Sequence, residues 1–500
     1  MAGGFLPYHE PGIVQILILV SFFYFLSLAE WLSEKVIRAG IIGQIAVGII
    51  YGVPLANILI LHWQETFLAL GYIGLILIIF EGGLSARIDL LKQNLLLSSL
   101  GAATGVTFPI GLSYLLLYLG FGYGAVETFI IGAALSATSL GTTFAVISSA
   151  SATVDLAQTR VGSVLVSAAV IDDVVGLVMS SVIGDLGKLS GPGSGDANLG
   201  WIIGRPIVAS IAMAILTPIF TKFVFAPIFR RYIERPFARY DHVSNILLMV
   251  LVLCAFISIA AYTGTSILFG AFLAGTFLTY LPSKYPDGPF VVTSREQGER
   301  EAEKSPTFVH TFEAYLLGVQ NYLMAPLFFA SIGFAIPFVS LWTGKRIWRG
   351  IVYTLLMVFA KFIVGAWVPL WSALFPPKTL ETQGSSKGVK EPSGEPGDRH
   401  EEVSKRSNSQ LTWLSGLLLG CAMVARGEIG LLIIEIGYNE TPYVSENGFI
   451  TGVWAILLNT IIGPVCVGIL VKYYGKEIGN GAWGIAKSGD IGPEDGKEEV

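Results

Sequence analysis

Charged residues are what this sequence has least of. Asp, Glu, Lys and Arg together make up 13% of its 500 residues, whereas soluble globular proteins usually carry about 25%. Hydrophobic residues make up 53% of the chain, and the mean hydropathy is +0.67. Such a chain has too few polar side chains for a hydrated surface. Because long apolar runs cross a bilayer as helices, we predict an all-α, polytopic membrane protein.

Cysteine and histidine are also scarce. The three cysteines, Cys254, Cys421 and Cys466, fall in apolar segments, so a disulfide framework is not expected. The five histidines lie in predicted loops or termini, which argues against haem within the membrane, and we expect no cofactor. The segment before the first apolar run has no positive charge, so it does not resemble a cleaved signal peptide.

Apolar runs long enough to cross a bilayer recur along the whole chain. A transmembrane helix needs about 20 mostly apolar residues, and on that basis the sequence predicts thirteen spans. They cover approximately residues 13–30, 38–53, 66–84, 95–119, 125–149, 161–183, 201–222, 244–262, 264–282, 317–339, 350–373, 411–436 and 447–471. The eighth and ninth spans meet at Thr263-Gly264, where we predict a tight turn.

The distribution of Lys and Arg predicts how these spans are oriented. Most of the 31 basic residues follow odd-numbered spans, and cytoplasmic loops are the ones enriched in basic residues. We therefore expect the N-terminus outside or in a lumen and the C-terminus in the cytoplasm. The exceptions are Lys188, Arg205, Lys345, Arg346 and Arg349 on the opposite side, and Lys361 and Arg426 within spans.

Two adjacent carboxylates, Asp172 and Asp173, lie in the middle of the sixth span, which is otherwise uncharged from Val161 to Gly184. Charged residues within the membrane are costly and normally face the bundle interior, where they mark a path for ions or protons. Their burial and mutual repulsion favour protonation of at least one of them. The pair is therefore predicted to be a site where protons and cations compete.

Lys361 lies in the middle of the eleventh span, too far from either end to reach the membrane surface easily. Pairing with a carboxylate is the better explanation. We predict Asp172 or Asp173 as its partner; a purely structural lysine with another partner is the alternative.

Two spans carry the signature of interrupted helices. The fifth contains a cluster of small and hydroxyl residues, comprising Ser136, Thr138, Ser139, Gly141, Thr142 and Thr143. Such residues suit either helix packing or an unwound segment whose carbonyls and hydroxyls contact an ion. The twelfth span contains Arg426-Gly427-Glu428, which suggests an interrupted helix whose charges neutralise its free ends. A structural salt bridge and a direct part in transport are the alternative roles of the two charges.

Glu81 lies near the predicted cytoplasmic end of the third span. It either lines a funnel leading to the ion site or is an ordinary carboxylate at the membrane interface.

Together these motifs resemble the monovalent cation–proton antiporter superfamily, which contains the sodium/hydrogen exchanger domain, and within it the Asp-Asp branch similar to bacterial sodium–proton antiporters. The residues that carry the resemblance are Ser136-Ala137-Thr138-Ser139, Asp172-Asp173, Lys361, Arg426-Gly427-Glu428, Phe80-Glu81-Gly82-Gly83-Leu84 and Phe328-Phe329 with Gly333. The resemblance covers essentially the whole membrane region, about residues 12–472. The resemblance implies inverted repeats with two broken, crossing helices, and a homodimer.

The resemblance also implies roles for the motif residues. Asp173 would bind the transported monovalent cation or a proton, Asp172 would pair with Lys361, and Thr138 and Ser139 would lie at the helix crossing. Residues 1–474 would form the exchanger domain, with an ion-carrying core at about 95–183 and 350–471. A disordered cytoplasmic loop is predicted at about 375–409 from its Gly, Ser, Pro and charge content, followed at 475–500 by a short cytoplasmic tail.

The predicted function is exchange of sodium or potassium for protons by alternating access, in contact with membrane lipid and without a nucleic-acid partner. A sodium-coupled organic-solute symporter on the same fold is the alternative. An intramembrane enzyme is disfavoured because the sequence has neither a Gly-x-Gly-Asp nor a His-Glu-x-x-His motif. An antiporter-like subunit of a respiratory complex would leave the adjacent aspartates unexplained.

Overall fold

Every regular element that the structure describes is a helix. The structure is a computed structural model that describes residues 10–86, 94–139, 159–188, 199–233, 240–281, 307–375, 397–480 and 483–484. The first nine helices are α1 (Ile13–Ile37), α2 (Gly40–Tyr51), α3 (Leu61–Leu84), α4 (Leu95–Ser113), α5 (Ala125–Ala134), α6 (Arg160–Lys188), α7 (Leu199–Phe220), α8 (Asp241–Thr263) and α9 (Ile267–Tyr280). They are followed by α10 (Phe308–Tyr315), α11 (Leu317–Ala335), α12 (Phe338–Leu341), α13 (Gly344–Gly365), α14 (Trp367–Leu374), α15 (Gly397–Val424), α16 (Glu428–Asn439) and α17 (Glu446–Asn480).

The helices are those of a multi-pass membrane protein. Within the described residues, ten helical stretches are long and apolar enough to cross a bilayer, and three shorter apolar helices (α2, α5 and α9) accompany them. The predicted all-α membrane fold is confirmed. The count of thirteen spans stays a prediction, because α2 has 12 residues and α9 has 14, fewer than the roughly 20 that a bilayer requires.

Several helices run further than the predicted spans. The helical path of α7 continues to Ile233, past the predicted end near 222, and α17 extends to Asn480 rather than 471. Helix α15 begins at Gly397, inside the segment 375–409 that the sequence predicts to be disordered. Because Glu, Lys and Arg are good helix formers, the charged end of this segment can continue the apolar helix that follows it. Residues 376–396 of that segment lie outside the described residues.

Turn chemistry sets two of the helix ends. Between α8 and α9 the chain turns at Gly264, whose φ of 81° lies in the left-handed region that glycine adopts without strain. The predicted turn at Thr263-Gly264 is therefore present. The eleventh span is divided into α13 and α14 at Ala366, three residues before Pro369. Proline removes the hydrogen bond to the carbonyl four residues earlier and crowds it, which explains the division.

The chain divides into two compact units. Unit 1 comprises residues 1–86, 177–349 and 431–451, and unit 2 comprises residues 87–176, 350–430 and 452–500. In unit 1, α3 packs against α9 and α11, α1 packs against α2, and α8 packs against α9. The rings of Phe22 and Phe67 stack at 5.5 Å between centroids beside Tyr51, so aromatic packing joins the N-terminal helices of this unit.

Unit 2 contains most of the ranges for which an ion-carrying core is predicted. Its apolar interior is formed by side chains from α4, α6, α13, α14, α15 and α17. At one end, Trp483 packs under the Arg160 guanidinium at 4.7 Å, and its indole nitrogen donates a hydrogen bond of 2.7 Å to Ser372. The same helices α4, α6 and α13 carry polar side chains of the site described next.

Candidate functional site

Lys361 and Asp172 form a buried ion pair in unit 2. The Lys361 Nζ lies 2.7 Å from Asp172 Oδ2, and both side chains are 0% exposed. Thr138 links them, because its hydroxyl donates to the same carboxylate oxygen at 2.7 Å and accepts from Lys361 Nζ at 2.9 Å. Of the two aspartates, Asp172 is thus the one that contacts the lysine. Because both side chains are buried away from water, removing either one would leave the other charge buried without a counter-charge.

Helix α4 comes close to this ion pair at Gly105. A Cβ atom at this position would lie 3.2 Å from Lys361 Nζ and 3.4 Å from both carboxylate oxygens of Asp172. The distance to Nζ is shorter than usual for a Cβ atom, so a side chain at this position would require the Lys361 ammonium to shift by a few tenths of an ångström. Gly105 does not stand out in the sequence, because glycines are frequent in the apolar helices of this chain.

Asp173 has a different environment from its neighbour. Successive helical residues point about 100° apart, so Asp173 lies away from the face that holds the ion pair. It is partly exposed, and its Oδ1 atom has no hydrogen-bond partner. Among the described residues, no Lys or Arg forms an ion pair with it. Asp173 therefore retains oxygen atoms that could bind a cation or a proton.

The interrupted segments of the fifth and twelfth spans cross beside these aspartates. Helix α5 ends at Ala134 and residues 137–139 are not helical, while α15 ends at Val424 and α16 begins at Glu428. The Ser139 N–H donates to the Ala425 carbonyl at 2.9 Å. The predicted interruption is thus present in the twelfth span, whereas the fifth span leaves its helix after Ala134 and its residues 140–149 lie outside the described part of the chain. Gly141, Thr142 and Thr143 of the predicted cluster lie outside the described residues.

Arg426 holds the crossing together. Its Nη1 donates to the carbonyls of Ala137 at 3.0 Å and Met423 at 3.2 Å, so the guanidinium satisfies a free carbonyl at the end of α15. Within the described residues Arg426 and Glu428 form no ion pair, so the salt bridge considered from the sequence is not present. Glu428 is instead the first residue of α16, where a negative charge is favourable.

Gly427 is the residue that makes this crossing possible. A Cβ atom there would lie 2.5 Å from Ser139 Oγ and 2.6 Å from Ser139 Cβ. We expect Gly427→Ala to lower the free energy of unfolding by about 1–3 kcal/mol, the usual effect of overpacking, which thermal unfolding in detergent would measure. Gly111→Ala in α4 is the control, because nothing lies within 4 Å of that Cβ position. Equal stability of the two variants would contradict a tight crossing.

Glu81 lies in unit 1, one turn before the end of α3. Its Oε2 accepts a hydrogen bond of 2.5 Å from Gln320 Nε2, and Gln320 is buried at the start of a π-helical turn in α11. Single π-helical turns are frequent at functional sites. Gln320 was not predicted from the sequence, although a glutamine within an apolar span is a signal that could have identified it.

Known proteins that resemble the chain give its family. The sequence profile of the family described as "Sodium/hydrogen exchanger, transmembrane" matches residues 18–473. The Na(+)/H(+) antiporter of Enterococcus hirae is 24% identical over 458 residues, which cover 90% of this chain and 96% of that protein. The probable Na(+)/H(+) antiporter GerT of Bacillus cereus is 25% identical over 426 residues, covering 84% and 90% respectively.

A solved structure has the same fold. The sodium proton antiporter MjNhaP1 from Methanocaldococcus jannaschii matches with a TM-score of 0.56 at 18% sequence identity, over 92% of this chain and 98% of that chain. None of these matches supports the sodium-coupled solute symporter considered as the alternative. Because the family profile covers nearly all of the helical region, this chain belongs to the sodium/hydrogen exchanger family and exchanges a monovalent cation for protons.

Proposed function

We propose that Asp173 binds the cation and the proton of this exchange in alternation. The observation that carries the proposal is the contrast between neighbours: Asp172 is fully buried and paired with Lys361, whereas Asp173 is partly exposed and forms no ion pair with a Lys or Arg among the described residues. A carboxylate can be neutralised by a proton or by a cation, and one site cannot hold both. If only loaded states cross the membrane, this competition makes exchange obligatory.

Neighbouring groups support a cation site at Asp173. Glu428 lies close enough to interact electrostatically with Asp173, so two carboxylates attract a cation to the same place. Thr138 and Ser139 lie in the non-helical segment of the crossing, and unwound segments of this kind supply carbonyl and hydroxyl oxygens to ions in transporters. We propose Asp172 and Lys361 as the neighbouring charge pair that responds when Asp173 loads or releases its ion.

The transported cation is proposed to be sodium or potassium. A further relative, the Na(+)/H(+)-K(+) antiporter GerN of Bacillus cereus, is 23% identical over 445 residues, which cover 88% of this chain and 91% of that protein. The test is purified protein in liposomes with a pH-sensitive dye, challenged in turn with sodium, potassium and lithium. We expect sodium to drive proton movement, and an equal response to potassium would extend the substrate range. No response to any of the three ions would contradict the proposal.

Membrane voltage tests the part played by Lys361. If cation binding at Asp173 makes Lys361 release a proton, two protons exchange for one sodium ion, and each cycle moves a net charge. We then expect an inside-negative potential to accelerate proton uptake coupled to sodium efflux from vesicles. Vesicles with the potential collapsed by an ionophore are the control. Equal rates under both conditions would show electroneutral exchange and would reject the release of a proton from Lys361.

Topology and assembly complete the proposal. The N-terminus is proposed to lie outside or in a lumen and the C-terminus in the cytoplasm, as the Lys and Arg distribution favours. A homodimer is proposed, with unit 2 moving during alternating access. Helix α1 exposes apolar and aromatic side chains that suit contact with an apolar partner or with lipid, since residues such as Ile13, Val20 and Tyr24 are 61–68% exposed. Native mass spectrometry in detergent would measure the oligomeric state, and a monomer alone would contradict the dimer.

A further inference from the structure

Two polar side chains of unit 2, Asn459 and Arg426, each have two buried atoms without a hydrogen-bond partner that the proposed chemistry does not use. Asn459 in α17 is 0% exposed, and neither its Nδ2 nor its Oδ1 has a partner. Arg426 is also 0% exposed, and its Nε and Nη2 have none. We propose that Asn459 and Arg426 bind ordered water beside the α15–α16 break, and that Asn459 acts through this water as a positioning residue for Asp172.

Contacts of two residues that follow it in α17 place Asn459 at the break. The next residue, Thr460, donates its hydroxyl to the Arg426 carbonyl at 3.1 Å. One turn further along α17, a Cβ atom on Gly463 would lie 2.6 Å from Ala425 N. Residues four apart share a helix face, so Asn459 lies on the face that packs against residues 425–427. Its amide and the Arg426 side chain thus belong to the same buried region.

Leaving these four buried atoms without hydrogen bonds would lower the stability of the folded protein. A buried polar atom without a partner has lost its bonds to water and gained none in return. Leucine has a branched shape similar to that of asparagine and would avoid that loss at position 459. Buried polar groups that lack a protein partner are commonly hydrogen-bonded to internal water. A bound ligand therefore explains why an amide and a guanidinium stand here together.

The mixture of donors and acceptors identifies the ligand as water. The unpartnered donors are Arg426 Nε and Nη2 and Asn459 Nδ2, and the unpartnered acceptors are Asn459 Oδ1 and Asp172 Oδ1. An anion would satisfy the donors alone, and an alkali cation would be repelled by the guanidinium. Water donates and accepts, and buried water typically makes about three hydrogen bonds.

This water would connect Asn459 to the ion pair. Arg426 interacts electrostatically with Asp172, yet no direct hydrogen bond joins them among the described residues. Water between them would hold the Arg426 guanidinium at a fixed distance from the Asp172 carboxylate, which Lys361 neutralises. The role of Asn459 in exchange rests on the proposed function, whereas the bound water does not.

Two measurements that do not require transport activity test whether this water is bound. In wild-type protein, hydroxyl radicals generated by X-rays from bound water should label Met423, which is 0% exposed and whose carbonyl accepts from Arg426. In Asn459→Leu, which displaces the water, we expect weaker labelling and a melting temperature about 2–4 °C below wild type. An unlabelled wild-type Met423, or a higher melting temperature in Asn459→Leu, would overturn the proposal.

A matched control separates this site from unpartnered groups in general. Ser98 in α4 is 0% exposed and its Oγ has no hydrogen-bond partner. Ser98→Ala removes one such hydroxyl from the same unit. We expect its melting temperature to equal or exceed that of wild type, in contrast to Asn459→Leu. A matching decrease in both variants would count against a special site at Asn459.

The pH profile of exchange tests the positioning role. Asn459→Leu removes the amide and displaces the water, so Asp172 Oδ1 loses a hydrogen bond that favours its charged form. We expect the pH of half-maximal exchange to move upward by about one unit, while Ser98→Ala should keep the wild-type midpoint. An unchanged midpoint in Asn459→Leu would overturn the positioning role. Absence of exchange in wild-type protein would instead contradict the proposed function, and the labelling result would stand separately.

Discussion

Replacing Asp173 by Asn should reduce cation–proton exchange in liposomes by at least about 100-fold while the protein stays folded. Asn keeps the shape of the side chain but carries no charge, so it can neither release a proton at working pH nor neutralise a bound cation. Loss of a group that takes the proton in the reaction commonly costs 10²–10⁴-fold. Exchange with a pH-sensitive dye under a sodium gradient is the measurement.

The stability of Asp173→Asn serves as its internal control. Because Asp173 forms no ion pair with Lys or Arg among the described residues, the substitution leaves no buried charge without its partner. Thermal unfolding should therefore match that of wild type or occur at a slightly higher temperature. If Asp173→Asn exchanged as fast as wild type, the ion site would have to lie elsewhere.

Replacing Asp172 by Asn should, unlike Asp173→Asn, cause a large loss of stability. The Lys361 ammonium, 0% exposed and 2.7 Å from Asp172 Oδ2, would be left without a counter-charge. Breaking a buried pair from one side typically lowers the free energy of unfolding by about 3–5 kcal/mol. Thermal unfolding of the purified protein would measure it, and Asp173→Asn is the matched change on the adjacent residue.

A double variant distinguishes pairing from general damage to the core. Lys361→Met alone should also destabilise the protein, because it leaves the Asp172 carboxylate buried and unpaired. Asp172→Asn combined with Lys361→Met removes both charges, and replacing a buried pair by uncharged groups is often close to neutral. We therefore expect the double variant to regain most of the lost stability. Additive losses in the double variant would mean that the two residues do not stabilise each other.

The charge pattern within the apolar runs carried much of the prediction. Charges in hydrocarbon are costly enough to be rare, so Asp172, Asp173, Lys361 and Arg426 stood out without any structure. The interruption at residues 425–427 was also predictable, since glycine between two charges in an apolar run disfavours a continuous helix. The turn at Gly264 followed from similar reasoning.

Close approaches between distant segments were not predictable. Gly105 and Gly427 are two of 58 glycines, and only the fold shows that one lies beside Lys361 and the other against Ser139. Gln320 and Asn459 are polar amides within apolar spans, which marks them in the sequence, but their roles depend on their partners. Only the fold shows that Gln320 donates to Glu81 and that the Asn459 amide has no hydrogen-bond partner.

The sequence by itself determined that this chain is a helical membrane protein with a charged centre, because water-to-hydrocarbon transfer penalises each charge wherever the chain places it. The tertiary structure decided which aspartate Lys361 neutralises, which remains available, and where buried atoms lack partners. Those outcomes depend on contacts of 2.7–3.2 Å between residues up to 289 positions apart. Hydrogen bonds and ion pairs at that range are set by how helices pack, which periodicity along one helix does not specify.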